Sequence, residues 1–495
     1  MPGKAANRWW VLLSVIMAFL PIVLDMTILH VAVPSLTLAL QATGTQVLWI
    51  IDIYPLLMAS LLIPMGTLAD KVGHRRIMVS GLAIFGIGSI LAAFSPTAWA
   101  LIGARAFMAF GAAMVMPCTL AIIRQTFEDE TERATALGVW GAVASAGAAV
   151  GPLAGGALLE HFWWGSVFLV NVPVMLIVLP LVVVYSPKQS TLNDAPWPIG
   201  QAVILMAGIM ASVYALKSGF VAGNPVAVTG ACSLIGMLLL FWFFRKQLRS
   251  PQPMLDLGLF RIPPIGAGVG MALVVMGALA GVELMLAQEL QFVLGQTPLQ
   301  AGMFMLPLMI ASAVGGPFSG RILRAVGLRT LATTSLLISA ASLAGLAVAS
   351  LGEGGVEVIL LLAALGLALS VGMTASSVAI MSNTPVDKAG SAGALEATSY
   401  DLGSGLGITV FGIVLASGYQ RSIQLPDGIA PELADSATRS IGETMMVANA
   451  LGGHQAQQLV AAGQAAFSAS HSLVLLVAAG LIAVMSAVVW RVLRT

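Results

Sequence analysis

Asp25, Asp52, Arg105, Glu283, Glu289, Glu396 and Asp401 lie within or at the ends of long apolar stretches. A charge inside a bilayer is costly, so such side chains are functional candidates by default. Asp25 sits in Leu24-Asp25-Met26-Thr27-Ile28, with apolar walls and one hydroxyl. A carboxyl so placed either exchanges a proton for a cation or serves as a structural group bonded to a neighbouring helix. Asp52, in Trp49-Ile-Ile-Asp52-Ile-Tyr54, either joins its aromatic neighbours in accepting a cation or belongs to a hydrated interfacial belt. Glu396 and Tyr400 are four apart and share a helix face. Asp401 lies one residue further round. Of Glu396 and Asp401, one is expected to meet substrate and the other to support gating or packing. Glu283 and Glu289 fall near the outer end of the ninth span and are candidate mouth residues that attract cations, Glu289 in a setting open to water and Glu283 between apolar neighbours. Arg105 needs an acidic or carbonyl partner if buried.

The elements that must hold these groups are spanning helices. A span needs about 20 apolar residues. Fourteen are expected, at 10–33, 46–67, 77–95, 98–122, 134–158, 164–185, 197–217, 226–244, 264–287, 299–320, 328–349, 356–379, 390–416 and 470–491. The first contains Asp25 and runs to Val33, so it reads as a span and not a leader. Of 495 residues, 58% are hydrophobic and 9% charged. Soluble domains carry about 25% charged residues, so the chain is an all-α, multi-pass membrane protein. A net charge of +1 argues against nucleic acid. Cys118 and Cys232 lie in apolar segments, and the five histidines lack metal-ligand spacing. No Walker loop or catalytic constellation is present, so no enzyme, metal or nucleotide cofactor is expected.

With both termini inside, inner segments hold 18 of the 22 basic residues, Lys71, Arg75, Arg76 and Lys188 among them. Lys217, Arg421 and Arg439 are left to outer loops. The expected organisation is an N-terminal six-helix bundle over 1–190, two further helices and a linker over 191–262, and a C-terminal bundle over 263–495. The long outer segment at 419–469 either caps the mouth or is a solvated connector.

Two motifs bear on movement. Gly147, Gly151 and Gly155 form a small-residue stripe that lets another helix approach closely, and Pro152 bends it. Gly66-Thr-Leu-Ala-Asp70-Lys-Val-Gly73-His-Arg75-Arg76 joins two spans, and Gly320 to Arg329 repeats its pattern 254 residues later. Its glycines permit a tight turn, and Asp70 can latch one half to the other. Two similar halves suit a transporter with its site between them. Trp49, Tyr54 and Trp140 are aromatic candidates for that site, and some of the 25 methionines would face it.

Gly138-x8-Gly147-x3-Gly151-Pro152-x2-Gly155-Gly156 resembles the antiporter motif of drug:proton antiporters in the major facilitator superfamily. The loop at 66–76 resembles the superfamily's signature loop. Arg105 resembles the arginine that the family ties to proton transfer, although Ala109 replaces the expected glycine. Together with Phe168-Leu-Val-Asn171-Val-Pro173, Pro253-Met-Leu-Asp256 and Tyr400-Asp401-Leu-Gly403, these liken nearly the whole chain to the fourteen-span branch. Within it, the chain is most similar to quaternary-ammonium and methyl-viologen pumps of the QacA/SmvA type. The resemblance implies a monomeric, proton-driven exporter of lipophilic mono- and dications, such as quaternary ammonium biocides, bis-biguanides and dyes, in a bacterial cytoplasmic membrane. It implies that Asp25, Asp52, Glu396 and Asp401 serve substrate or proton. Glu283 and Glu289 fall outside the pattern, and Ser312 stands where some relatives carry an acid. A nutrient transporter is the alternative.

Overall fold

The computed structural model describes residues 2–187, 197–219, 225–250, 253–385 and 388–493. Lys188 and the expected boundary at 190 lie outside them. The described residues are helical almost throughout, as apolar backbone without water must satisfy its polar groups internally. In order, the helices are α1 Pro2–Leu40, α2 Gly44–Val72, α3 His74–Ala93, α4 Ala98–Thr126, α5 Glu130–His161, α6 Ser166–Leu169, α7 Asn171–Tyr185, α8 Ile199–Gly219 and α9 Val226–Arg249. They continue with α10 Pro263–Gln288, α11 Pro298–Phe304, α12 Leu306–Val326, α13 Leu328–Val348, α14 Val356–Met381, α15 Ala389–Ser422, α16 Pro431–Ala437, α17 Ile441–Leu451 and α18 Gly453–Val492.

Twelve described helices are long and apolar enough to cross a membrane, or 13 if the bent pair Pro298–Phe304 and Leu306–Gly316 is one span. The 32-residue α5 occupies the place expected for the fifth span, so fourteen is compatible with the fold. Three expected segments differ in detail. The tenth breaks by 42° ahead of Pro307. The sixth breaks between α6 and α7, just before Pro173. Third, the last helix starts at Gly453, not near 470, so the distal connector is shorter than expected. Gly452 and Gly453, at φ 65° and 64°, turn the chain between α17 and α18.

The second half repeats the neighbours of the first. α4 packs against α1, α2 and α3, as α14 does against α10, α12 and α13. α5 lies on α1 as α15 lies on α10, and α7 touches α1 and α3 as α18 touches α10 and α13. Gly73 and Gly327 turn the equivalent α2–α3 and α12–α13 links with φ 109° and 79°. This is the two-bundle plan, with α8 and α9 as an added hairpin whose α8 leans on α2.

The halves meet through α2 with α15 and α5 with α11 and α12. The face carrying the termini and most basic residues is called the basic face, and its opposite the distal face. Near the distal face, a Cβ on Gly156 would lie 2.6 Å from the Pro298 carbonyl, and one on Gly302 2.7 Å from that of Pro152. Toward the basic face, a Cβ on Gly138, Gly320 or Gly393 would meet nothing within 4 Å. The bundles are thus sealed distally, with no comparable packing at these basic-face positions.

Candidate proton and cation site

α1 and α4 bring the first pair together. Arg105 Nη1 donates to Asp25 Oδ2 at 2.5 Å, and its Nε donates to the Ile50 carbonyl at 3.1 Å. Pro55 interrupts the hydrogen-bond ladder of α2 beside that carbonyl. The guanidinium lies 4.7 Å from the centre of the Tyr54 ring and 5.9 Å from that of Phe168. Asp25 and Arg105 are 0% and 1% exposed, so each is the partner that makes burial of the other tolerable in an oily interior. Tyr54 is itself fully buried, and its hydroxyl has no hydrogen-bond partner among the described residues.

Asp52 belongs to a second cluster. Lys217 of α8 reaches its Oδ2 at 2.7 Å, and Thr409 of α15 donates to the same oxygen at 2.6 Å. The Lys217 ammonium stands 3.8 Å above the centre of the Trp49 ring. Lys217 was expected in an outer loop. It is instead 2% exposed, drawn in by the unpaired carboxylate. A lysine closing an apolar span was the signal available, but nothing local to it named Asp52 as its partner.

Glu283 and Glu289 are buried, and each is paired with a histidine. His30 Nδ1 lies 3.1 Å from Glu283 Oε2, joining α1 to α10 across the halves. His471 Nδ1 lies 3.2 Å from Glu289 Oε2, and Ser468 donates to Glu289 Oε1 at 2.5 Å. Glu289 opens a wide π-turn, Glu289–Val293, that continues α10. Glu289, whose polar neighbours suggested a wet setting, is buried, as is Glu283 among its apolar neighbours. Each histidine is far from its acid in sequence, which is why its role was not legible.

On α15, Tyr400 Oη donates to Glu396 Oε1 at 3.0 Å and lies 3.2 Å from the Met373 carbonyl. Asp401 is buried, and no salt bridge to it is found among the described residues. Trp140 of α5 stacks on Phe19 with centroids 4.5 Å apart. Around these groups, Gly147 faces Val23, and Cβ atoms on Gly151 and Gly155 would strike Thr27 and Ile28. The stripe therefore seats α5 on the Asp25 segment of α1, with Pro152 buried beside it. At the basic face, Gly66 lies against Pro117, and Asp70 pairs with His74 at 3.0 Å. Asp70 thus engages the first turn of α3, and Arg75 is half-buried alongside.

Two similar bundles, with buried acids where they meet and a seal on one face, define the class: a transporter. The chain belongs to the Major Facilitator Superfamily, whose profile matches residues 15–408. It is 44% identical over 484 residues to the methyl viologen resistance protein SmvA of Salmonella typhimurium, covering 98% of each chain. It is 35% identical over 490 residues to the multidrug efflux pump LfrA of Mycolicibacterium smegmatis, covering 98% of this chain and 96% of that one. Among solved structures, a bacterial homolog of the human lysosomal transporter Spinster superimposes with TM-score 0.68 at 17% identity over 99% of both chains. The nucleoside transporter NupG does so with TM-score 0.63 at 12% identity, over 99% of this chain and 100% of that one. These two share the fold.

Proposed function

We propose that the chain is a proton-coupled multidrug exporter of lipophilic mono- and dications, with both termini in the cytoplasm of a bacterial inner membrane. The observation that carries this reading is the buried Asp25–Arg105 pair of the first bundle, with the Tyr54 ring against its guanidinium, together with the buried Asp401 of the second. The likeness to a methyl viologen resistance protein and a multidrug efflux pump supports the substrate class. On this reading a proton entering from the distal side neutralises Asp25 and frees Arg105. The bundles rock, and the cation held by Asp401 and Glu396 is released distally. Trp140, Tyr400 and Glu283 line or brace its route, and the glycine stripe of α5 is the pivot. No cofactor is needed beyond the proton gradient, and a monomer suffices.

The test is reconstitution into vesicles with an imposed pH gradient and a cationic dye. Dye should move against its own gradient and stop when a protonophore is added. Transport indifferent to the pH gradient would remove the coupling. Counterflow of a neutral nutrient without dye movement would favour the nutrient reading.

The distal connector offers a second test. Glu443 Oε1 accepts the Gly44 N–H at 2.9 Å, placing an acid on the first turn of α2. Gly442 meets Thr37 of α1, so α17 covers the distal ends of α1 and α2. Burial raises the Glu443 pKa. The protonated form is therefore favoured on folding, and that stability is complete below the ordinary glutamate range. It is lost as pH rises through the raised value. Glu443→Gln should remove this pH dependence, and Glu443→Ala should destabilise the cap by about 1–3 kcal/mol. Hydrogen exchange at 431–451 as a function of pH checks both.

A further inference from the structure

The Lys217 ammonium rests on an aromatic face and a carboxylate, the two features by which proteins recognise organic cations. Between the bundles at the distal face lies a cavity of about 180 Å³, whose lining includes Thr37, Leu48, Lys217, Gln288 and Glu443. It is smaller than the roughly 300 Å³ that a drug-sized ligand needs, so in this state it holds no such cargo. Lys217 forms part of that cavity's wall, while Asp52 and Trp49 are buried and do not line it.

We infer that Lys217 is a tethered competitor for the cation subsite formed by Asp52, Trp49 and Thr409. It occupies the subsite when the distal face is closed and is displaced into the cavity by a departing organic cation. Its return after release prevents rebinding from the distal side. This deepens the proposed function and rests on it.

Two features favour a displaceable ion over a fixed strut. A permanent buried pair is stable when its remaining lone pairs are satisfied. Here Asp52 Oδ1 is buried with no hydrogen-bond partner among the described residues, and both Lys217 and Thr409 crowd onto Oδ2. Second, Lys217 is a lining residue of the cavity and its carboxylate partner is not, so the lysine side chain has space beside it to move into. A strut needs neither the aromatic face nor a cavity in front of it. α8 is also peripheral, with 33% of its apolar window buried, so its end residue reaches the site from outside both bundles.

The experiment measures tetraphenylphosphonium binding to the purified full chain in detergent, with dye efflux from vesicles in parallel. Lys217→Met should tighten binding at least about tenfold and slow efflux, because release now lacks its competitor. Lys217→Arg should stay near wild type. Adding Asp52→Asn to Lys217→Met should abolish the gain. Unchanged or weaker binding in a folded Lys217→Met overturns the proposal. Should the Met variant misfold, Lys217→Gln takes its place. Collapse of both, with Lys217→Arg intact, would make the ammonium a fixed counter-ion and likewise overturn it. A wild-type chain that neither binds nor moves the cation would fail at the first measurement and take the proposed function with it. That result is distinct from a competent wild type whose affinity ignores Lys217.

Discussion

Asp25→Asn is expected to reduce pH-gradient-driven export to background while the protein still inserts. Asparagine keeps the shape of the carboxyl but cannot alternate between charged and protonated forms. It also leaves the Arg105 guanidinium, 1% exposed, with no counter-charge at 2.5 Å. Removing one partner of a buried pair typically costs about 3–5 kcal/mol. The variant is therefore expected to favour whichever conformation lets Arg105 reach water or another acid. Downhill dye exchange can persist in it, whereas movement against a gradient should not. Vesicles with an imposed pH gradient make the measurement, and a monodisperse elution profile in detergent shows that the fold survives. Asp25→Glu, which restores a titratable group at a changed reach, should recover part of the coupling. Wild-type coupled efflux from a folded Asp25→Asn protein would reject the role given to this carboxyl.

The second large effect concerns the seal. Gly156 lies where α5 meets α11, and a Cβ there would come 2.6 Å from the Pro298 carbonyl and 2.7 Å from Leu299 Cα. Both obstacles are main chain, so no side chain can swing aside. Gly156→Leu should prevent the distal face from closing, without touching Asp25 or Arg105. Export should fall by at least an order of magnitude, and a cysteine at Thr45, which lines the distal cavity, should react faster with a polar thiol reagent. The neighbouring Gly151→Leu would instead disrupt packing inside one bundle, where Thr27 and the Ile28 backbone are the obstacles. Its expected signature is loss of folded protein. The pair of variants thus separates the seal between bundles from the pivot within one.

The helical membrane architecture was legible because hydrophobic runs are local and need no partner to be recognised. The repeat was equally plain, since Gly73 and Gly327 each serve a turn that glycine alone makes cheaply. The stripe at Gly147, Gly151 and Gly155 announced a close helix approach, and the fold supplied α1 as the helix approached. Helix breaks were less legible. Pro307 ends a straight run, whereas Pro152 lies inside a continuous α5, and which outcome follows depends on the surrounding helices.

The sequence by itself determined that acids would lie inside a bilayer, because a residue's position within an apolar run is a property of the chain alone. Only the tertiary structure decided what each acid faces. Asp25 meets Arg105 across 80 residues, Asp52 meets Thr409 across 357, and Glu283 meets His30 across 253. It also moved Lys217 from an assumed loop to the side of a carboxylate. The reason is energetic: a buried charge is tolerable only beside its opposite or a polar partner, and helix packing in three dimensions sets which one is within reach.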